Sequence, residues 1–422
     1  MGKFSQYTER ENKESVILFL GIILANIVNY LFYMFISRML GPANYGAFNS
    51  LQALFLIFFL PAETIRLVIT KYVSNLKVSE NLGEINHLIR QSFFRLFAVG
   101  LLGAMVIVIL SPGIARFLKL DDFKPVWVVA LLIPLILTAP VGFGLLQGLQ
   151  RFVVLGMSTF VATIFRLISG VLFVWAGWGI SGALGGLLTQ NIFTLLIIFW
   201  VTRSLFKEER LIKQTSRQDI YTYFIPVAIA LSSLAVLTNI DMLLVKHYFT
   251  AEEAGFYSAA SLLGKAVVFL AGGVILIMFP KVSELDAQKK QTFLLLKKSL
   301  VYSIIIALTS ALIFTAAPNL LIKILFGKKY ISAAPALLID FGYAMIPLIL
   351  LNVIVNYNLA IHRWKFLYFL VGGTIVHCLL LTVFHRSLQQ VILVIGVSGL
   401  VNFLLLGLLT YGEKNAHSAA GV

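Results

Sequence analysis

The 422-residue sequence predicts an all-α polytopic membrane protein, about 12 transmembrane helices in two six-helix bundles. Three observations carry that expectation. Apolar residues make up 59% of the chain and charged residues only 12%, against about 45–50% and about 25% in soluble domains. Apolar runs of about 20 residues, the length that crosses a bilayer as a helix, recur throughout. Two stretches also repeat one another at a fixed offset. Composition and a mean hydropathy of +0.94 exclude an ordinary soluble enzyme. The single cysteine, Cys378, excludes a disulfide framework and a cysteine-cluster metal site.

The chain opens on a polar stretch ending in Ser15, followed by an apolar run from Val16 to about Ile36. That run is too long for a signal-peptide core and lacks a cleavage pattern, so it is expected to be retained as span 1. Further spans are expected at about 47–69, 93–112, 126–147, 153–175, 182–201, 220–245, 256–280, 299–318, 333–355, 366–385 and 391–411. None alternates with period two. A barrel is therefore not expected, and helices are the remaining way to satisfy the backbone in lipid.

The formal charge of +15 is explained first by topology. With the N-terminus inside, 21 of the 33 Lys and Arg fall in cytoplasmic segments, 9 on the opposite side and 3 within spans. This asymmetry places both termini in the cytoplasm. The basic loops Arg203–Arg217 and Lys281–Lys298 are read as orientation signals that also attract anionic membrane lipids, not as a nucleic-acid surface.

Tyr45 to Leu54 (YGAFNSLQAL) aligns with Ala254 to Leu263 (AGFYSAASLL) without a gap at an offset of 209, matching Gly46 to Gly255. The Val-Ser-x-Leu pattern at Val73–Leu76 recurs at Val282–Leu285, and IPLIL occurs at Ile133–Leu137 and again at Ile346–Leu350. The expected organisation is an N-terminal half over 1–201, a basic cytoplasmic linker over 202–219 and a C-terminal half over 220–422. Two such halves match alternating-access transporters, with a site between them near the membrane midplane.

Charges inside spans are costly and default to function. Glu63 and Arg66 on span 2 are spaced i, i+3 and share a face; they are either a structural ion pair or working charges. Lys265 on span 8 lies ten residues beyond Gly255, roughly 15 Å deep at 1.5 Å per residue. Arg166 lies near the middle of span 5. Neither Arg166 nor Lys265 has an acidic neighbour within its span, so an anionic ligand is the expected partner. Asp241 sits on span 7, with Lys246 at its outer edge as an interfacial anchor. Asp340 on span 10 is equally a coupling-ion carboxylate or a structural partner. Asn26, Asn29, Tyr30 and Tyr33 form a polar stripe on span 1. The six histidines show no ligand spacing, and no P-loop appears. Asp121 and Asp122 lie on a short loop beside Arg116, Lys119 and Lys124, which disfavours a membrane-embedded glycan polymerase or ligase.

The segment Ser37 to Phe48 (SRMLGPANYGAF) resembles the turn after span 1 of the polysaccharide transporters. These are the Wzx-type oligosaccharide flippases of the multidrug/oligosaccharidyl-lipid/polysaccharide (MOP) superfamily. Asp241 to Leu263 with Phe279 to Leu285 resembles that family's span 7–8 signature, and Phe326 to Leu337 its loop before span 10. The resemblance implies a MOP-type fold of two bundles in the inner (cytoplasmic) membrane. It also implies ion-coupled flipping of a polyprenyl-pyrophosphate-linked oligosaccharide to the outer leaflet for surface polysaccharide, alongside polymerase or assembly machinery. Arg66, Arg166 and Lys265, with Asn26 and Tyr30, would then contact substrate; Glu63, Asp241 and Asp340 would take H+ or Na+. No cofactor is expected, and no enzymatic activity. Span 1 lacks the Arg-Asp pair of lipid II flippases, and a basic cavity argues against the multidrug exporters, which usually carry organic cations.

Overall fold

The computed structural model describes residues 2–78, 82–203 and 218–419, and these are helical almost throughout, with no strand among them. In chain order the helices are α1 (Gly2–Val78), α2 (Leu82–Phe117), α3 (Lys124–Gly148), α4 (Phe152–Phe173), α5 (Gly179–Thr202), α6 (Gln218–Tyr248), α7 (Ala251–Ala287), α8 (Phe293–Ala316), α9 (Pro318–Leu325), α10 (Ala334–Ala360), α11 (Phe366–Val383) and α12 (Leu388–Ala419). Among the described residues, ten helical stretches are long and apolar enough to cross a membrane.

The count differs from the expected twelve for a physical reason. Two of the ten, Ile23–Ser74 and Phe152–Thr202, run 52 and 51 residues, each the length of two crossings of a core that needs about 20. Gly41 breaks the first at φ 71°, and Gly177 breaks the second at φ 89° within a five-residue π turn. A side chain would strain either backbone. Trp175 and Trp178 flank the second break, 79% and 61% exposed, as befits aromatic rings at a membrane–water boundary. Large apolar side chains cover the outer faces of α2, α8 and α11, including Ile109, Leu312 and Leu379, which in water would be an untenable surface. The protein is a multi-pass membrane protein.

The chain forms two compact units. One comprises 1–40 and 55–225, the other 41–54 and 226–422. Residues 204–217 of the expected linker lie outside the described residues. Each unit is organised around one helix that is largely buried. In the first unit that helix is α3, with α2 and α5 packed on it. In the second it is α10, surrounded by α7, α8 and α12. The repeated IPLIL sequence falls on these two helices, at the centre of each unit.

The other repeated motif meets itself inside the second unit. A Cβ added to Gly46 would lie 2.8 Å from the Gly255 nitrogen, and one added to Gly255 would enter the Pro42 carbonyl. Tyr45, beside this crossing, is buried against Phe326 at 5.9 Å and Tyr330 at 6.1 Å. Burial pushes the Tyr330 hydroxyl well above its usual range. Replacing Gly255 with Ala must force the crossing backbones apart, and overpacking of this kind costs about 1–3 kcal/mol. Gly255→Ala should lower the melting temperature of the detergent-solubilised protein, whereas Gly372→Ala, with nothing within 4 Å, should leave it unchanged or slightly raised.

Candidate functional site

The buried charges gather into separate groups, and the helices explain why. On α4 the buried face runs through Gly156, Ser158, Ala162, Thr163, Arg166 and Gly170, a stripe of small residues that lets neighbours approach closely. Gly170 leaves room for the Phe32 ring, since a Cβ there would sit 2.6 Å from Phe32 Cε2. One turn back, the Arg166 guanidinium lies over that ring at 4.1 Å and over Tyr33 at 5.1 Å. Arg166 is 5% exposed, and its Nη1 donates to Asn29 Oδ1 at 2.7 Å.

That environment is incomplete for a cation. Two aromatic faces and one amide dipole answer the charge, but Nε and Nη2 are buried with no hydrogen-bond acceptor. No ion pair to Arg166 occurs among the described residues. Two aligned N–H donors beside an uncompensated charge fit one phosphate or carboxylate group. Asn26 and Tyr30, expected on the same stripe, lie on the exposed side of α1, so Asn29 with Phe32 and Tyr33 are the span 1 residues that meet Arg166.

Glu63 and Arg66 pair at 2.9 Å, with Arg66 38% and Glu63 19% exposed. Arg66 Nε is buried and unpartnered. Its carbonyl accepts from Thr70 Oγ1 at 2.8 Å, and Gly144 and Gly148 of α3 pack closely on this stretch of α1.

In the second unit Lys265 corrects an expectation. The sequence shows it without an acidic neighbour, but α6 supplies one. Lys265 Nζ bonds both Asp241 oxygens, at 2.9 and 2.8 Å, and Tyr257 Oη donates to Oδ2 at 2.6 Å. Asp241 is 1% exposed and Lys265 17%. Tyr257, on the same helix as Lys265, is braced by Phe341 of α10 at 5.1 Å. Asp340, the residue before Phe341, is partly exposed and in no ion pair among the described residues. Lys246 is buried, not at a solvent edge.

Sequence reading missed His377, which is fully buried on α11 and bonded through Nδ1 to Ser398 Oγ at 2.6 Å. Spacing gives no sign of it, because its partner Ser398 lies 21 residues away on another helix. A lone histidine in an apolar span is the only clue. The loop acids have a local role. Asp122 Oδ1 accepts from the Lys124 backbone N–H at 3.0 Å and Oδ2 lies 3.3 Å from its ammonium, holding the carboxyl below the usual range. No cluster of three metal-ligating side chains occurs among the described residues.

Helices of bilayer length carrying buried charges define a multi-pass membrane protein. The sequence profile of the polysaccharide biosynthesis protein family matches residues 12–286. The chain belongs to that family. A putative O-antigen transporter of Shigella flexneri is 24% identical over 277 residues, which are 61% of this chain and 64% of that protein. Two solved structures share the fold. One, an inward-facing multidrug resistance transporter of the MATE family, gives a TM-score of 0.74 at 15% identity and covers 94% of this chain and 96% of its own. The other, the lipid II flippase MurJ in an inward closed conformation, gives 0.69 at 14% identity, covering 94% and 87%.

Removing one member of a buried pair strands the other, at about 3–5 kcal/mol. Asp241→Asn and Lys265→Met should each lower thermal stability sharply, and the double variant should recover much of the loss. Additive losses in that double-mutant cycle would show that the contact is not energetically coupled.

Proposed function

We propose that this protein flips a polyprenyl-pyrophosphate-linked oligosaccharide from the cytoplasmic to the outer leaflet of the inner membrane. Coupling is to an ion gradient, with both termini cytoplasmic and the product destined for a surface polysaccharide. Membership of the polysaccharide biosynthesis family and the likeness to the Shigella O-antigen transporter support the substrate class. The observation that carries it is Arg166: a guanidinium inside a membrane span with two unused donors and no carboxylate. A pyrophosphate is a dianionic headgroup that must cross a medium where an unanswered charge is prohibitively costly. With the Lys265 ammonium already held by Asp241, the headgroup falls to Arg166 and, at the more exposed position, to Arg66. Asn29 holds the guanidinium plane, and Phe32 sustains its charge while the site is empty. Glu63, paired with Arg66, is positioned to sense a headgroup arriving there and to take the coupling ion as the pair opens.

Sidedness of the stranded intermediate tests the proposal. A deletion strain should accumulate complete glycan on its carrier at the cytoplasmic face. Accumulation outside would mean a polymerase or ligase step, and altered resistance to toxic cations with intact glycan would mean a drug exporter. Charge-assisted hydrogen bonds contribute about 1.5–3 kcal/mol each, so a normally expressed Arg166→Ala variant should lose about 10- to 100-fold in glycan flux. Arg166→Lys, which keeps charge but not the planar fork, should fall between. Wild-type flux in Arg166→Ala would remove Arg166 from the site.

A further inference from the structure

His377 makes one side-chain hydrogen bond, from Nδ1 to Ser398 Oγ at 2.6 Å. Ser398 Oγ also lies 3.2 Å from the Ile395 carbonyl, which can only accept. With the hydroxyl proton on that carbonyl, the Ser398 oxygen accepts from His377 and the imidazole carries its hydrogen on Nδ1. Nε2 is then a bare lone pair, buried and without a hydrogen-bond partner. The opposite tautomer would bury an orphaned N–H, which proteins tolerate less readily than an under-used acceptor.

The groups around it give the lone pair a purpose. Tyr248, the last residue of α6, stacks on His385 just past the end of α11 at 3.7 Å. Asp241 and His377, seven and eight residues before that contact, therefore lie at the same level of neighbouring helices, with Lys265 of α7 held on Asp241. On α12, the helix packed against α11, no Asp, Glu, Lys or Arg occurs between Leu388 and Gly412. On α11 itself the other titratable groups are Tyr368 and Cys378. A second unpaired acceptor, Asn402 Oδ1, is buried on α12 one turn beyond Ser398, with Asn402 seated against Gly373 one turn before His377. The cluster thus holds one carboxylate, one ammonium and one neutral base. As it stands its charges cancel. A proton added to the base leaves two cations for one anion, in surroundings where an unpaired charge is not sustained.

We infer that His377 Nε2 is a proton-binding site, and that its imidazolium and the Lys265 ammonium are alternative counterions for Asp241. Taking a proton at Nε2 releases Lys265 from the carboxylate; losing it restores the pair. The proton comes from and returns to water, and no other bond is made or broken. Resting on the transporter reading above, this makes the proton the coupling ion in the second unit. A sodium ion would have to enter a carboxylate already occupied by Lys265 and Tyr257.

The test uses the full-length protein in detergent micelles with 15N-labelled histidine, the His377 signal being assigned by its loss in His377→Gln. In wild type the neutral form should show the Nδ1–H tautomer. In Lys265→Met the protonation midpoint of His377 should move to higher pH by about one unit or more, a tenfold gain in proton affinity. In Asp241→Asn with Lys265→Met it should fall back. An unmoved midpoint in Lys265→Met overturns the inference. If that variant does not fold, Lys265→Gln carries the same expectation. Wild type supplies a further check, since a labelled Lys265 ammonium must shift with the His377 midpoint, and His377 protonation that leaves it unmoved also overturns the inference. So does displacement of the His377 signal by sodium but not potassium chloride at fixed pH, which would make this a metal-ion site. None of these signals depends on glycan, so failure here is separable from failure of the sidedness experiment.

Discussion

An ionised side chain in a hydrocarbon layer must be answered from within the protein, because there is no water to answer it. The remaining architecture accommodates that constraint. Asp241 and Lys265 answer one another completely, with Tyr257 taking part of the carboxylate's remaining capacity. Glu63 and Arg66 answer one another at a more exposed level of α1. Arg166 is answered by π faces and one amide oxygen. That arrangement sustains a cation without neutralising it. Glycines set these distances: Gly170 admits Phe32 beneath the guanidinium, and Gly144 lets α3 approach the backbone at Arg66.

The helical plan was legible because hydropathy is a property of single segments. Each apolar run had to become a helix whatever its neighbours did. The central helices shared one mark in sequence, the IPLIL run that α3 and α10 both carry. The turns at Gly41 and Gly177 within two long helices were not legible, because a positive φ leaves almost no trace in composition. Gly46 and Gly255 aligned in sequence, but nothing there reveals that the two copies touch.

Site partners were legible only along a single helix. Glu63 and Arg66, three residues apart, could be paired by counting. Lys265 could not be matched to Asp241, 24 residues away on another helix, nor Arg166 to Asn29 across 137 residues. The polar stripe on span 1 was visible as a period, but the period did not say which of its members faces α4. Helix packing brings Asn29, Phe32 and Tyr33 to Arg166 and leaves Asn26 and Tyr30 exposed.

The two buried cations therefore do different chemistry despite equal charge. A lysine ammonium is a compact point charge that one carboxylate can satisfy, and Asp241 does so through both oxygens. Such a cation is available for an anionic ligand only after a competing positive charge frees it. A guanidinium spreads its charge over a plane, so one edge can be bonded and one face stacked while other donors stay open. Arg166 is arranged that way, with Nη1 on Asn29, its face on Phe32, and Nε and Nη2 open. The proposed anion recognition therefore rests on the arginine in the first unit, and the proposed exchange of positive charge on the lysine–aspartate–histidine cluster in the second. In the proposed cycle a headgroup that reaches Arg66 competes with Glu63 for the same guanidinium, just as a proton on His377 competes with Lys265 for Asp241, so each unit would respond to a charge by opening one ion pair.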